Sequence, residues 1–220
     1  MQEMWNTIDQ YYADLMLPED PKLQEILDAT AAAGLPAINV SPLQAKMLQL
    51  IVKMIGAKKI LELGTLGGYS AVCMARALPE DGSLISLEVD PRWVELSRNN
   101  IERAGMSHMI EIRGGKAIGT LPELEREGHV FDLVFLDADK RTNPHYLSWA
   151  MRLTRPGSVI IADNVTRNGE VLREDREDPN VNGIRRYLEM AGEHPKLEST
   201  VIQTVGQKGY DGFCMSRVLA

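Results

Sequence analysis

Short apolar runs alternate along this chain with segments whose apolar residues recur at helical spacing. The predicted strands lie near 58–63, 83–88, 109–113, 130–137 and 157–163, and the predicted helices that alternate with them lie near 68–78, 91–104, 116–127, 143–154 and 179–192. The run 131–136 contains a single polar residue, and such continuous apolar runs are typical of parallel strands buried on both faces. Alternating strands and helices favour a sheet with helices packed on both sides. The pattern therefore predicts a doubly wound α/β fold.

Several predicted helices begin with a capping residue followed by proline. The pairs are Asp20-Pro21, Ser41-Pro42, Asp90-Pro91, Asn143-Pro144 and Asp178-Pro179. Asp, Ser and Asn side chains accept hydrogen bonds from the free N–H groups of a first helical turn. Proline suits the first helical position because no backbone donor is needed there. Each pair therefore predicts the start of a helix.

Both ends of the chain depart from this alternation. Helices are predicted at 2–16, 21–33 and 42–55 before the first strand, and strands at 197–205 and 212–219 after the last helix. The tail strands flank 206–211, which is short enough to join them as a hairpin, with 208–212 making the turn. Five alternating strands and this hairpin predict a sheet of seven strands.

The length of the chain favours a single domain. Its 220 residues, of which 44% are hydrophobic, suffice for one substantial α/β domain but not for two of full size. We therefore predict one domain over 1–220, with an N-terminal helical cover at 1–56 and an α/β core at 57–220.

Charge and composition narrow the class of protein. The chain has 24 basic and 31 acidic residues, and its formal net charge of −7 argues against a nucleic acid as partner. No run approaches the ~18 apolar residues of a membrane span, and the start lacks a signal-peptide pattern. Cys73 and Cys214 match no metal or redox spacing and are expected to be reduced. These features predict a cytoplasmic protein that does not enter a membrane.

A glycine-rich loop follows the first predicted strand. Residues 60–70 read Ile-Leu-Glu-Leu-Gly-Thr-Leu-Gly-Gly-Tyr-Ser, so an apolar run leads through three glycines into a helix. Glycine tolerates positive φ and lets a ligand approach the backbone closely. Glu88 ends the next strand, where an acidic side chain can accept hydrogen bonds from a ribose diol. The loop and Glu88 together predict a cofactor site.

The spacing and charge of this loop indicate which cofactor binds. The nicotinamide fingerprint reads Gly-x-Gly-x-x-Gly, whereas Leu66 stands where its second glycine would be. Glu62 lies just before the loop, and its carboxylate would repel a pyrophosphate. The carboxylate suits S-adenosylmethionine, which carries an ammonium and a sulfonium as well as a ribose. At this point the chain resembles the class I S-adenosylmethionine-dependent methyltransferases, whose first motif reads Glu-x-Gly-x-x-x-Gly.

Polar residues follow the fourth and fifth predicted strands. Asp137 ends the fourth strand, and Asp163 and Asn164 end the fifth. Neighbouring strand ends lie ~5 Å apart, so these side chains can converge on one ion. Two carboxylates and an amide oxygen suit Mg²⁺, Mn²⁺ or Ca²⁺ rather than zinc. The residue types leave a second interpretation equally open, in which Asp137 binds only the cofactor and Asp163-Asn164 begins a turn.

From about Val40 to the C-terminus, the chain resembles the cation-dependent O-methyltransferases, the family of catechol and caffeoyl-coenzyme A O-methyltransferases. The motifs that carry the resemblance are Glu62-x-Gly64 with Gly68-Tyr69-Ser70, Glu88, Asp137-x-x-Lys140 and Asp163-Asn164. The resemblance implies a Rossmann-like fold, S-adenosylmethionine as methyl donor and a divalent cation, with Mg²⁺ favoured over Mn²⁺ and Ca²⁺. It also implies a catechol-like small-molecule diol as substrate and a homodimer.

The resemblance implies a role for each matching residue. The cation ligands would be Asp137, Asp163 and Asn164. Lys140 would act as the general base, and Glu88 would bind the ribose. The other residues implied to bind the cofactor are Val40, Glu62, Gly64, Thr65, Ser70, Ala117 and Asp137. Among them, the match places Val40 at the methionine end and Ala117 at the adenine end.

Three other functions compete with a small-molecule O-methyltransferase. Relatives of the family methylate a hydroxylated uridine in transfer RNA, and the net charge of −7 argues against this substrate. A nicotinamide-dependent oxidoreductase is disfavoured by the loop spacing and by Glu62. A non-catalytic binding module is disfavoured because Asp137, Lys140 and Asp163 are all present.

Overall fold

The centre of the molecule is a sheet formed by β1 (Lys59–Leu63), β2 (Ser83–Glu88), β3 (Ile110–Gly114), β4 (Phe131–Leu136), β5 (Thr154–Asp163), β6 (Leu197–Gly206) and β7 (Gly209–Val218). The computed structural model describes residues 1–173, 175 and 177–220, and within them seven strands pair in the order β3-β2-β1-β4-β5-β7-β6. The strands β1 to β5 run parallel, whereas β7 pairs antiparallel with both β5 and β6. The predicted seven-stranded doubly wound sheet with a C-terminal hairpin is confirmed.

Helices connect the strands and precede the sheet. They are α1 (Gln2–Met16), α2 (Pro21–Ala32), α3 (Pro42–Met54), α4 (Tyr69–Ala75), α5 (Pro91–Arg103), α6 (Ala117–Arg126), α7 (Asn143–Arg152) and α8 (Pro179–Glu193). Short 3₁₀ segments lie at Lys140–Thr142 and Arg167–Leu172. Of the helices in the described part of the chain, none has the length and apolar character needed to cross a lipid bilayer.

The capping residues behave as predicted at four of the five helix starts. Asp20, Ser41, Asp90 and Asp178 each accept a hydrogen bond from a backbone N–H of the first turn. A helix begins at Asn143 as predicted, but the predicted capping role of Asn143 is wrong, because this residue is the first of α7 and not its cap. The preceding 3₁₀ turn runs directly into α7, so the helix start offers no separate first turn for Asn143 to cap.

The turn of the C-terminal hairpin is shorter than predicted. Gly206 pairs with Gly209, so only Gln207 and Lys208 connect the two strands. Gly209 has a φ of +86°, a conformation that glycine adopts without strain and that allows the chain to reverse tightly. Tyr210, predicted to lie in the turn, is therefore paired within β7.

Buried side chains form a hydrophobic cluster on each face of the sheet. Within β1, Ile60 belongs to one cluster and Leu61 to the other, as the alternation of side chains along a strand requires. The first cluster includes Ile26 of α2 and Leu48 of α3, and the second includes Tyr187 of α8. Helices therefore cover both faces. The prediction of one domain, with a helical cover at 1–56 and an α/β core at 57–220, stays a prediction.

Candidate active site

The carboxyl ends of neighbouring parallel strands meet at one edge of the sheet. Leu63, the last residue of β1, pairs with Leu87 of β2 and with a residue of β4 on its other side. The alignment continues past the strands, because Gly64 N donates to Leu87 O and Asp137 N donates to Leu63 O, each at 2.9 Å. This register brings the glycine loop, Glu88 and Asp137 to the same edge of the sheet, which is where open α/β sheets bind ligands.

The glycine loop is tightest at Gly64. This residue has a φ of +92°, which side-chain-bearing residues rarely adopt. A Cβ atom there would lie 2.9 Å from the carbonyl carbon of Asp137 and still closer to its oxygen. Only glycine therefore fits between the ends of β1 and β4.

Glu88 holds the glycine loop from the end of β2. Its side chain is buried, and its Oε2 accepts from Leu66 N at 3.1 Å and from Thr65 N at 3.3 Å. Its Oε1 accepts from Val89 N at 2.7 Å and from Asp90 N at 3.1 Å. The carboxylate is thus fixed beside the loop, at the position predicted for ribose binding.

Glu62 lies inside the sheet, beneath the loop. Its carboxylate is fully buried and accepts hydrogen bonds from Ser70 Oγ and Ser86 Oγ, both at 2.5 Å. Burial raises the pKa of Glu62 to about 7, although the two serine hydrogen bonds oppose this shift. Sequence reasoning missed Ser86, which pairs with Glu62 in the β1–β2 register. The available signal was a small polar residue in the middle of an otherwise apolar strand.

The other predicted cofactor residues lie around the same edge. Val40 is buried just before α3, and the partly buried Ala117 begins α6 after β3. Ser70 lies in the first turn of α4, where it reaches Glu62. The Thr65 hydroxyl is buried and makes no hydrogen bond of normal geometry within the described residues.

Asp137 and Lys140 form a close pair at the end of β4. Lys140 Nζ lies 2.8 Å from Asp137 Oδ1, and the lysine is only 7% exposed. A lysine that followed a strand merely as a surface charge would extend into water. Lys140 instead points to the strand end that carries the predicted ligands.

Asp163 is buried at the end of β5. Its Oδ2 accepts from Gln44 Nε2 at 2.9 Å, and its Oδ1 accepts from Asn164 N at 2.8 Å. Burial and the negative charge of Asp137 raise the pKa of Asp163 well above its usual range, while Lys140 opposes the shift. The two carboxylates therefore lie close enough to repel each other. No sequence signal pointed to Gln44, which lies on α3.

The predicted third ligand, Asn164, starts the loop after β5. Its backbone has a φ of +57°. Within the described chain, no group of three or more His, Cys, Asp or Glu side chains is arranged to hold a metal ion. The predicted set is of a different kind, because it joins two carboxylates to one amide.

Comparisons with known proteins agree with this arrangement. Residues 13–217 match the O-methyltransferase family. The chain is 48% identical over 217 residues to a catechol O-methyltransferase from Niastella koreensis, covering 98% of both chains. Its fold matches an O-methyltransferase from Bacillus cereus in complex with S-adenosylhomocysteine, with a TM-score of 0.98, 48% identity and coverage of 99% of this chain and 100% of that one.

A second solved structure gives the same result. An O-methyltransferase from Streptomyces achromogenes in complex with S-adenosylmethionine has a TM-score of 0.96 and 42% identity, and the match covers 100% of this chain and 99% of that one. Sequence and fold agree over nearly the whole length in each case, so the resemblance inferred from the motifs is confirmed. The chain belongs to the S-adenosylmethionine-dependent O-methyltransferases.

Proposed function

We propose that this chain transfers the methyl group of S-adenosylmethionine to one hydroxyl of a catechol-like diol and requires a divalent cation to do so. The observation that carries the proposal is the ion pair between buried Lys140 and partly buried Asp137 beside Asp163, at the edge of the sheet where the glycine loop lies. These three residues place a basic side chain and two carboxylates next to the proposed cofactor-binding loop. The catechol O-methyltransferase from Niastella koreensis supports the substrate class.

The proposed cofactor site surrounds the glycine loop. Glu88 accepts hydrogen bonds from the ribose, and its 3.3 Å contact with Thr65 N is the longest of its present bonds and the easiest to replace. Glu62 stabilises the cationic amino-acid end, since a carboxyl with a pKa of about 7 ionises readily near a positive charge. The buried hydroxyl of Thr65, which lies beside Glu62, offers a further polar contact. The remaining proposed residues are Val40, Gly64, Ser70, Ala117 and Asp137.

The residues at the ends of β4 and β5 fit a divalent cation. Asp137 and the buried Asp163 bring two carboxylates together, which a cation would stabilise. Their oxygens and the amide oxygen of Asn164 are hard donors of the kind that Mg²⁺ prefers. We assign these three residues as the ligands. When bound, such an ion acts as a Lewis acid that lowers the pKa of a hydroxyl.

Lys140 acts in this proposal as the general base. In its neutral form, the amine of Lys140 would take the proton of the hydroxyl to be methylated. With S-adenosylmethionine bound, the resulting oxyanion would take the methyl group, so that a C–O bond would form as the C–S bond broke and S-adenosylhomocysteine would leave. The glycine loop and the strand ends hold donor and acceptor in near-attack geometry, which is the main contribution of the protein to the rate.

We also propose that the enzyme is a homodimer and works in the cytoplasm. Helix α1 has no buried residue. The large apolar side chains that it exposes are Met4, Ile8, Tyr11, Tyr12, Leu15 and Met16. A second copy of the chain would cover such a surface. Cys73 and Cys214 are buried free thiols, which suits a reducing compartment.

A methyl-transfer screen over catechols, flavonoids and hydroxycinnamates tests the proposed reaction. Turnover should disappear in excess chelator and return when Mg²⁺ or Mn²⁺ is added. Full activity in chelator would refute the role of the cation. A salt-titrated RNA-binding assay tests the transfer-RNA alternative, and salt-sensitive binding of RNA would contradict the small-molecule substrate.

Replacing the base tests the mechanism. Lys140→Ala should lower the methyl-transfer rate by ~10²–10⁴ because the hydroxyl loses its proton acceptor. Cofactor affinity, measured by calorimetry, should stay nearly constant. Lys22→Ala is the control, since Lys22 forms an exposed ion pair with Glu25 on α2 and should leave the rate unchanged. A wild-type rate in Lys140→Ala would show that this lysine is not the general base.

A further inference from the structure

Asp211 of β7 gathers backbone donors from the loop that follows β5. Its Oδ1 accepts from Thr166 N, Arg167 N and Gly212 N, each at 2.9 Å. Gly212 adds a backbone contact to the same loop, because its carbonyl oxygen accepts from Val165 N at 3.0 Å. The Asp211-Gly212 pair is thus bonded to three consecutive residues of the loop.

These contacts lie next to the proposed cation ligands. In the β5–β7 register, Asp163 pairs with Phe213, so Asp211 lies two residues beyond the strand end that carries the ligands. Asn164 is therefore flanked on one side by a strand residue and on the other by Val165, which is bonded to β7. The backbone of Asn164 has little freedom to rotate while both neighbours are held.

The held segment includes three residues with positive φ. Asn164, Arg167 and Asn168 have φ angles of +57°, +52° and +54°, in the left-handed region, which asparagine tolerates but which strains Arg167. Such a conformation persists only where surrounding contacts determine it. The hydrogen bonds from Thr166 N and Arg167 N to Asp211 are two contacts of this kind, since a carboxylate is a strong acceptor for backbone N–H groups.

We propose that Asp211 is a positioning residue that holds the loop after β5, so that Asn164 presents its amide to the divalent cation. The inference rests on the proposed cation site. Asp211 touches neither cation nor cofactor in this assignment, and it acts through the backbone of residues 165–167. Its loss should therefore weaken binding of the cation and leave binding of S-adenosylmethionine intact.

Manganese binding to the full-length protein, followed by calorimetry and by the paramagnetic resonance of free Mn²⁺, tests the proposal without measuring turnover. Asp211→Ala should weaken Mn²⁺ affinity by at least about tenfold, which corresponds to ~1.4 kcal/mol. Asp211→Asn keeps an oxygen acceptor and should retain most of the affinity. S-adenosylmethionine affinity, measured in parallel, should be unchanged in both variants.

A matched control is available at the opposite end of the sheet. Asp132 Oδ2 accepts from Lys58 N at 2.8 Å and from Lys59 N at 3.0 Å, so it ties two backbone N–H groups as Asp211 does. Asp132→Ala should lower the melting temperature and leave Mn²⁺ affinity at the wild-type value. A similar loss of Mn²⁺ affinity in both alanine variants would overturn the proposal, because general destabilisation would then explain it.

A second variant reaches the same loop without removing a charge. A Cβ atom at Gly212 would lie 2.6 Å from Thr166 Oγ1 and 2.7 Å from Ile202 O, so Gly212→Ala should displace the loop and weaken Mn²⁺ binding. This variant decides the question if Asp211→Ala does not fold. Wild-type Mn²⁺ affinity in Gly212→Ala and in a folded Asp211→Ala would overturn the inference, as would equal losses in Asp211→Asn and Asp211→Ala.

The wild-type protein separates this inference from the proposed function. Failure of the wild type to bind Mn²⁺ would overturn the cation site itself, and the inference with it. Binding by the wild type with undiminished binding by the variants would overturn only the role of Asp211.

Discussion

Glu62 is a carboxyl enclosed by an apolar sheet. Burial raises its pKa to about 7 in the folded protein, whereas a glutamate in an unfolded chain has a pKa of ~4.3. The folded state therefore keeps a proton that the unfolded state releases between these values. The stability contributed by the neutral carboxyl is fully present below about pH 4 and is lost as the pH rises through about 7.

Glu62→Gln should remove this pH dependence, because an amide does not ionise. Relative to the wild type, the free energy of unfolding of the variant should rise by about 3 kcal/mol between about pH 4 and pH 8. Urea unfolding of both proteins without cofactor measures the difference. Glu80→Gln, at an exposed position, is the control and should stay within about 0.5 kcal/mol of the wild type. A difference between Glu62→Gln and wild type that does not vary with pH would contradict this prediction.

At the scale of elements, the glycine loop is shaped by helices that are distant in sequence. Asn100 of α5 is fully buried, and its Nδ2 donates to Gly67 O at 2.9 Å. Thr30 of α2 lies so close that a Cβ atom at Gly67 would overlap its hydroxyl. The loop conformation therefore depends on the packing of α2 and α5 as well as on its own glycines.

Gly64→Ala should disrupt this element. The new methyl group would overlap the backbone of Asp137, and the positive φ would be strained, so we expect a loss of about 2–4 kcal/mol in the free energy of unfolding. S-adenosylmethionine binding, measured by calorimetry, should fall with it. Gly119→Ala on α6 is the control, since a Cβ atom there meets nothing within 4 Å and alanine favours a helix. Normal S-adenosylmethionine affinity in Gly64→Ala would contradict the prediction that a side chain at this position disrupts the loop beside Asp137.

At the scale of the whole molecule, an apolar surface lies over α1 and the edge strand β6. Helix α1 is joined to the hairpin by polar contacts, from Gln2 Nε2 to Gly206 O and from Gln207 N to Asp9 Oδ2, each at 2.8 Å. The edge strand β6 also exposes apolar side chains, which are Val201, Ile202 and Val205. An uncovered edge strand with apolar side chains invites pairing with another chain.

Light scattering at micromolar concentration should give the mass of a dimer. Leu15→Asp, which places a charge on the exposed apolar surface of α1, should shift the protein towards the monomer because burying an unpaired carboxylate is costly. Leu172→Asp is the control, since this leucine is 83% exposed and lies outside that surface. A monomeric wild type would refute the proposed homodimer.

The features that local sequence could predict are those that local physics determines. Apolar runs predicted the strands because a strand buried on both faces cannot carry many polar residues. Asp20, Ser41, Asp90 and Asp178 predicted helix starts because a cap bonds to residues only two or three positions away. Gly64, Glu88, Asp137 and Asp163 could be placed at one edge because parallel strands end on the same side of a sheet.

Only the tertiary structure decided which distant residues serve the site. Gln44 reaches Asp163 across 119 residues, Ser86 meets Glu62 through the register of two strands, and Asp211 holds the loop after β5 from the last strand. Gln44 and Asp211 do not differ in local pattern from ordinary surface or strand residues, and Ser86 differs only as a small polar residue within an apolar strand. Their roles depend on strand register and on helix packing, which many long-range contacts determine together. The sequence by itself thus determined the fold class and the acidic residues at the strand ends, and packing decided which partners hold those residues in place.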